Sequence, residues 1–145
     1  APFSGFSYLC SLADALQTLN RFRVRIKNGG ILILDTPYSK IIKQKKTETE
    51  KVKRGTMTYE VVHEYYTDKN NDFIFIKCKH KRSINGTEFP VIKDKRFVKL
   101  RMYMPDTITA LLEKSKFKPI AFYGSYDKKR FSKSSPRLIT VAQAM

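Results

Sequence analysis

The sequence has 145 residues, enough for one domain with a packed core and too few for two comfortable ones. Lys and Arg outnumber Asp and Glu by 29 to 13, a net charge of +16 that favours anionic partners: nucleic acid, phosphorylated metabolites or an acidic protein. A hydrophobic share of 41% argues against a disordered basic tail, and no apolar run approaches the roughly 18 residues that span a bilayer, so no membrane association is expected. The stretch Ala1 to Leu9 lacks the charged start and long apolar run of a secretory signal, which makes a soluble cytoplasmic protein the expectation.

After an apolar loop, Ser11 with Asp14 three residues on reads as a helix start. Leu12, Leu16, Leu19, Phe22 and Ile26 recur at helical spacing and predict a face packed on a sheet; Asn28-Gly29-Gly30 is the stop. The run Ile31-Leu32-Ile33-Leu34 does not alternate, which suits a strand covered on both sides, with Asp35 and Thr36 at its carboxyl end, where open α/β sheets place ligands. Lys40 to Arg54 is lysine-rich and poorly patterned, and reads as a mobile loop or solvated helix.

From Thr56 the texture turns to strands. Met57 to Tyr66 and Phe73 to Ile84 flank a polar turn cluster, Asn85-Gly86 predicts a tight hairpin, and Thr87 to Ile92 and Phe97 to Tyr103 follow as further strands. Pro105 opens a second helix with Ile108, Leu111 and Leu112 as its buried stripe. Ile120 to Tyr123 and Leu138 to Ala142 close the chain as strands around a polar loop. The helix from Leu12 to Ile26 is expected to cover one face of Ile31 to Leu34 and the second helix the other.

Cys10 and Cys78 lie far apart with no metal-ligand spacing and read as buried free thiols; no metal site is expected. His63 and His80 each sit inside a strand pattern and read as core or half-buried, with a general-base role second. Lys40 to Arg54 and Lys77 to Arg82, with Tyr and Phe nearby, permit nucleic-acid binding by phosphate neutralisation and stacking, although a solvated face is the favoured reading in the absence of an RNA-binding motif.

The tail RMYMPDTITALLEKSKFKPIAFYGSYD followed by SPRLITVAQ resembles the carboxyl-terminal signature of class I S-adenosylmethionine-dependent methyltransferases. The opening APFSGFSYL, the first helix and NGGILILDT resemble that family's loop after its fourth strand, the next helix and its fifth strand. The resemblance implies an α/β fold: the C-terminal half of a Rossmann-like methyltransferase sheet with an inserted antiparallel β meander, spanning 56–103, within one partial domain. It implies S-adenosylmethionine as cofactor, with Phe3, Ser4, Gly5 and Phe6 on the cofactor side. Tyr8, Arg101, Tyr103 and Tyr123 fall on the side of a small or anionic acceptor, and Tyr126 and Arg137 lie on or beside recurring motifs.

Several departures accompany the resemblance. The family's Gly-rich cofactor loop and ribose-binding acid are absent from this sequence, Met104 stands where a capping Thr is usual, and Lys116 stands where Gly is usual. The sequence is therefore expected to begin just after a strand that lies outside it. Ile31 to Leu34 should then pair on one side with the last strand, and on the other with the missing amino-terminal half, a second chain or a copy of itself in a homodimer. A non-catalytic basic binding module, with nucleic acid as one candidate partner, is the alternative.

Overall fold

The computed structural model describes residues 4–38, 46–68, 70, 72–89 and 97–145. They divide into two compact units, one made of Ala1–Ile41 with Leu100–Met145 and the other of Ile42–Lys99.

The first unit holds two helices and a three-stranded sheet. Helix α1 spans Leu12–Arg25, and the Ser11 hydroxyl accepts hydrogen bonds from the Ala13 and Asp14 amides at 3.1 and 3.4 Å, which satisfies two donors that the first turn leaves free. The helix stops at Ile26, which is already extended, ahead of the expected Gly stop. Gly30 is required for another reason. A Cβ there would lie 2.6 Å from Ile26 Cγ2 and 2.9 Å from the Lys27 carbonyl oxygen, so only glycine lets the chain double back into the sheet.

Strand β1 spans Ile31–Pro37, and strands β7 (Phe117–Tyr123) and β8 (Arg137–Ala144) complete the sheet in the order β1-β8-β7, antiparallel throughout. Among the described strands β1 pairs with β8 alone and lies at the end of the sheet. The expectation of a strand covered on both faces is corrected: Leu32 and Leu34 are buried, whereas Ile31 and Ile33 are each 51% exposed. Helix α2 (Pro105–Lys114) does not cover the second face. Its Ile108, Leu111 and Leu112 join Ala15 and Leu19 of α1, Leu32, Leu34, Leu138 and Phe117 in one cluster, so both helices pack on the same side of the sheet. Leu12, expected in the packed stripe, is 42% exposed, and Ala15 takes the buried position. Met104 makes no side-chain cap at α2, and Lys116 takes the left-handed conformation at φ 59°, as the sequence departures at those positions imply.

The second unit is an antiparallel meander of β2 (Lys46–Arg54), β3 (Met57–Thr67), β4 (Phe73–Ile84) and β5 (Thr87–Phe89), with β6 (Phe97–Arg101) also paired to β4. The Asn85-Gly86 hairpin is present, both residues having positive φ. Lys46 to Arg54 is a strand rather than a loop or helix. Gly55 turns the chain back at φ 58°, each residue of β2 has a partner in β3, and Lys51 meets Glu60 at 2.9 Å, so cross-strand pairing supplies what apolar patterning does not. Residues 40–45 of the expected basic segment and 90–92 of the expected third strand lie outside the described residues. Neither cysteine is in a disulfide, and both are half-exposed rather than buried. Among the described residues no helix is long and apolar enough to cross a membrane.

Replacing Gly30 by Ala is expected to cost about 1 to 3 kcal/mol, because the clash is partly with a backbone carbonyl that cannot rotate away; urea denaturation of the wild type and Gly30→Ala measures it.

Candidate functional site

The site is built around the segment before α1. Ser4 adopts φ 59°, an unusual conformation for a residue with a side chain, and starts a single 3-10 turn over Gly5–Tyr8. The Phe6 ring is buried and packs on Tyr103 with centroids 5.0 Å apart. Ser7 is also buried, and its hydroxyl has no hydrogen-bond partner among the described residues. Tyr8 faces solvent at 61% exposure, and a Cβ on Gly5 would meet none of the described residues within 4 Å. Phe3 lies outside the described residues.

Two candidate acceptor residues hold this segment in place. The Tyr103 hydroxyl donates to the Leu9 carbonyl at 2.7 Å, and Arg101 Nε donates to the Cys10 carbonyl at 2.7 Å. Tyr103 is fully buried, and burial pushes its phenol up to about 12 while the Arg101 charge opposes the shift.

At the carboxyl end of β1 stands Asp35, almost fully buried. Arg137, the first residue of β8, donates from Nε to Oδ1 at 2.7 Å and from a terminal nitrogen to Oδ2 at 2.8 Å, the two-pronged match of a guanidinium to a carboxylate. The same terminal nitrogen reaches Ser4 Oγ at 3.1 Å. Tyr126 donates its hydroxyl to Asp35 Oδ2 at 2.8 Å and lays its ring 5.2 Å from the guanidinium carbon. Hydrogen bonding to Asp35 raises both the Tyr126 phenol and the Arg137 guanidinium from their ordinary values. A carboxylate so engaged is a structural anion. It ties β1, β8, the opening turn and the loop after β7 to one point.

Ser4 and Phe6 are thus brought together with Arg101 and Tyr103 along the opening segment, whereas Tyr123 stands apart at the end of β7, opposite Arg130. Asp35 is the centre that sequence reasoning placed at the strand end without assigning it a role. Its signal was a lone acid closing an apolar strand. In the second unit, Cys78 Sγ lies 3.3 Å from His63 Nδ1, and the His63 ring stacks on Tyr65; both histidines are half-buried. Among the described residues the Ser7 hydroxyl is without a partner and Gly5 is open, while the Phe6 ring is committed to the core.

The fold is that of the S-adenosylmethionine-dependent methyltransferases. No protein-family model and no curated protein matches the sequence. Among solved structures, the chain is similar to the sugar N-methyltransferase KedS8 from Streptoalloteichus, with a TM-score of 0.77 and 12% identity over 98% of this chain and 53% of that one. CalS10, an amino pentose methyltransferase from Micromonospora echinaspora, gives a TM-score of 0.74 and 12% identity over 99% and 56%. The CcbJ methyltransferase from Streptomyces caelestis gives 0.70 and 13% over 99% and 58%. The chain spans a little over half the length of these proteins, and at such identity the likeness is one of fold.

Removing the guanidinium with Arg137→Met leaves Asp35 buried without its counter-charge. The expected loss is about 2 to 3 kcal/mol, below the 3 to 5 of a fully buried pair because Arg137 keeps some solvent, and chemical denaturation reads it directly. The raised phenol of Tyr103 makes a separate expectation. Its contribution is fully present below about pH 10 and is lost as pH rises toward 12, so a Tyr103→Phe protein should show a shallower decline of stability across that window; Tyr65, also pushed up to about 12, keeps the decline from vanishing.

Proposed function

We propose that this chain forms the acceptor-side part of an S-adenosylmethionine-dependent methyltransferase acting on a small or anionic acceptor. The observation that carries the reading is the match of nearly the whole chain, at TM-scores of 0.70 to 0.77, to solved structures described as methyltransferases, two of them acting on sugars. When bound, S-adenosylmethionine supplies a methyl group on a positively charged sulfur, and displacement at that carbon needs alignment and exclusion of water more than proton transfer. In this reading Ser4, Gly5 and the Phe6 backbone form one wall of the donor site, with Ser7 offering a buried hydroxyl. Arg101 and Tyr103 act on the acceptor side by fixing the Leu9 and Cys10 carbonyls, while the exposed Tyr8 is the side chain of this segment free to meet an acceptor. The rest of the donor site belongs to a complementary piece that joins the sheet beyond β1, covering the face that carries Ile31.

The basic-module alternative gains little from the meander. Tyr66, Phe73, Phe75 and Phe97 pack on one another at 5.2 to 6.5 Å, and Lys99 lies 3.9 Å from the Phe73 ring centroid, so these rings are engaged within the sheet.

Calorimetry of the isolated chain with S-adenosylmethionine tests the division of the donor site. No binding in the micromolar range is expected, and a micromolar affinity for the monomer would show that the chain holds the donor by itself. The coding sequence beside this segment tests the methyltransferase reading: a strand followed by G-x-G-x-x-G is expected, and its absence together with a failure to bind the donor sinks the reading.

A further inference from the structure

We infer that Cys78 of the meander is a covalent modification site, a thiol that His63 activates for exchange with small disulfides. Successive residues of a strand alternate between faces, and residues directly opposed across an antiparallel pair share one. The register then sets the row: His63 of β3 stands directly opposite Cys78 of β4, and Glu48 of β2 stands opposite His63 on its other side. An acid, an imidazole and a thiol therefore lie in one line across one face of the sheet, with Tyr65 and His80 on that face beside them.

The pair is in contact. Cys78 Sγ lies 3.3 Å from His63 Nδ1, within hydrogen-bond reach for a sulfur. The Tyr65 ring stacks on the imidazole with centroids 6.1 Å apart and planes at 30°, a contact that restrains rotation of the His63 ring. The Tyr65 hydroxyl in turn donates to the Glu48 carboxylate, which keeps a negative group on the row where the imidazole would gain a proton. Cys78 is half-exposed, so a small molecule reaches the sulfur. Among the described residues no three or more His, Cys, Asp and Glu side chains converge as metal ligands, and the arrangement is that of a nucleophile with its base.

A disulfide is attacked by a thiolate, and a thiol without a base beside it is only a few per cent ionised at neutral pH. With the ring proton on Nε2, His63 Nδ1 takes the Cys78 proton while the sulfur attacks one sulfur of a disulfide R–S–S–R. A bond forms between Cys78 Sγ and that sulfur, the S–S bond of the reagent breaks, and the departing RS⁻ recovers the proton from Nδ1 as RSH. Cys78 is oxidised to a mixed disulfide and one RS group is reduced, so the electrons balance within the exchange. Cys10 is the comparison thiol: it is also half-exposed, but it belongs to the first unit, whose sequence has no histidine. The inference does not depend on methyl transfer.

The probe is bis(2-hydroxyethyl) disulfide, which is uncharged and has a poor leaving group, added in excess to the full chain at neutral pH. Acid quenching and peptide mass spectrometry then read the adduct at each cysteine over time. Cys78 should be modified at least about tenfold faster than Cys10, a gain within the range open to a thiol that is otherwise a few per cent ionised. His63→Asn, which keeps a polar group near the sulfur but no base, should slow Cys78 at least about fivefold and leave Cys10 within about twofold. Near-ultraviolet circular dichroism verifies the fold of the variant, and the comparison of the two thiols in the wild type decides the matter by itself if the variant does not fold. Absence of an adduct at Cys78, a rate at Cys10 equal to or above that at Cys78, or an undiminished Cys78 rate in folded His63→Asn would overturn the inference.

Discussion

An ionised carboxylate is tolerated inside a protein only when its charge and its lone pairs are met, and Asp35 has both met from several parts of the chain at once. Arg137 brings the start of β8, Tyr126 brings the loop after β7, and through the same guanidinium Ser4 brings the opening turn. The geometry of that turn follows from this point, since Ser4 holds a left-handed backbone that is costly without a compensating contact. Tyr103 and Arg101 then fix the other end of the segment through the Leu9 and Cys10 carbonyls. The segment that the proposed reading sets beside a methyl donor is thus pinned at both ends by polar contacts, with Phe6 driven into the core between them.

The sheet of the first unit has two unlike faces. On one, Leu32, Leu34, Leu138 and Phe117 meet both helices in a single core. On the other, Ile31 is half-exposed at the end strand, and no helix packs there among the described residues. Sheets of α/β proteins are usually covered on both faces, and the chain spans a little over half of the solved methyltransferases it resembles in fold.

Elements governed by local chemistry were legible in the sequence. Ser11 capped its helix, Ile108, Leu111 and Leu112 formed the predicted stripe, and Asn85-Gly86 made its hairpin, because each depends on residues a few positions apart. The edge strand β2 was hidden because its partner chain, not its own Lys, Thr and Glu residues, decides its conformation. The one-sided placement of the helices was hidden for a related reason: the run Ile31 to Leu34 is uniformly aliphatic, and nothing in four like residues tells which two will be covered. At the site, Arg101 and Tyr103 stood out in the sequence as acceptor-side residues, but their hold on the Leu9 and Cys10 carbonyls did not, nor did the Asp35 cluster, since its carboxylate and guanidinium come from strands far apart in the chain.

The pairing of β1 with β8 joins residues about a hundred positions apart, as the bond from the Thr36 hydroxyl to the Leu138 carbonyl shows, and this sets an order of assembly during synthesis. The β2, β3, β4 and β5 hairpins close short loops and can form as soon as their strands emerge, while α1 and β1, made earlier, must wait for β8 before the β1–β8 ladder can form. Leu19, Leu32 and Leu34 therefore lack their contacts with β8 on the nascent chain until residues 137–144 have left the ribosome, and the interval between making these side chains and packing them against β8 is a period of exposure to aggregation and to chaperone capture.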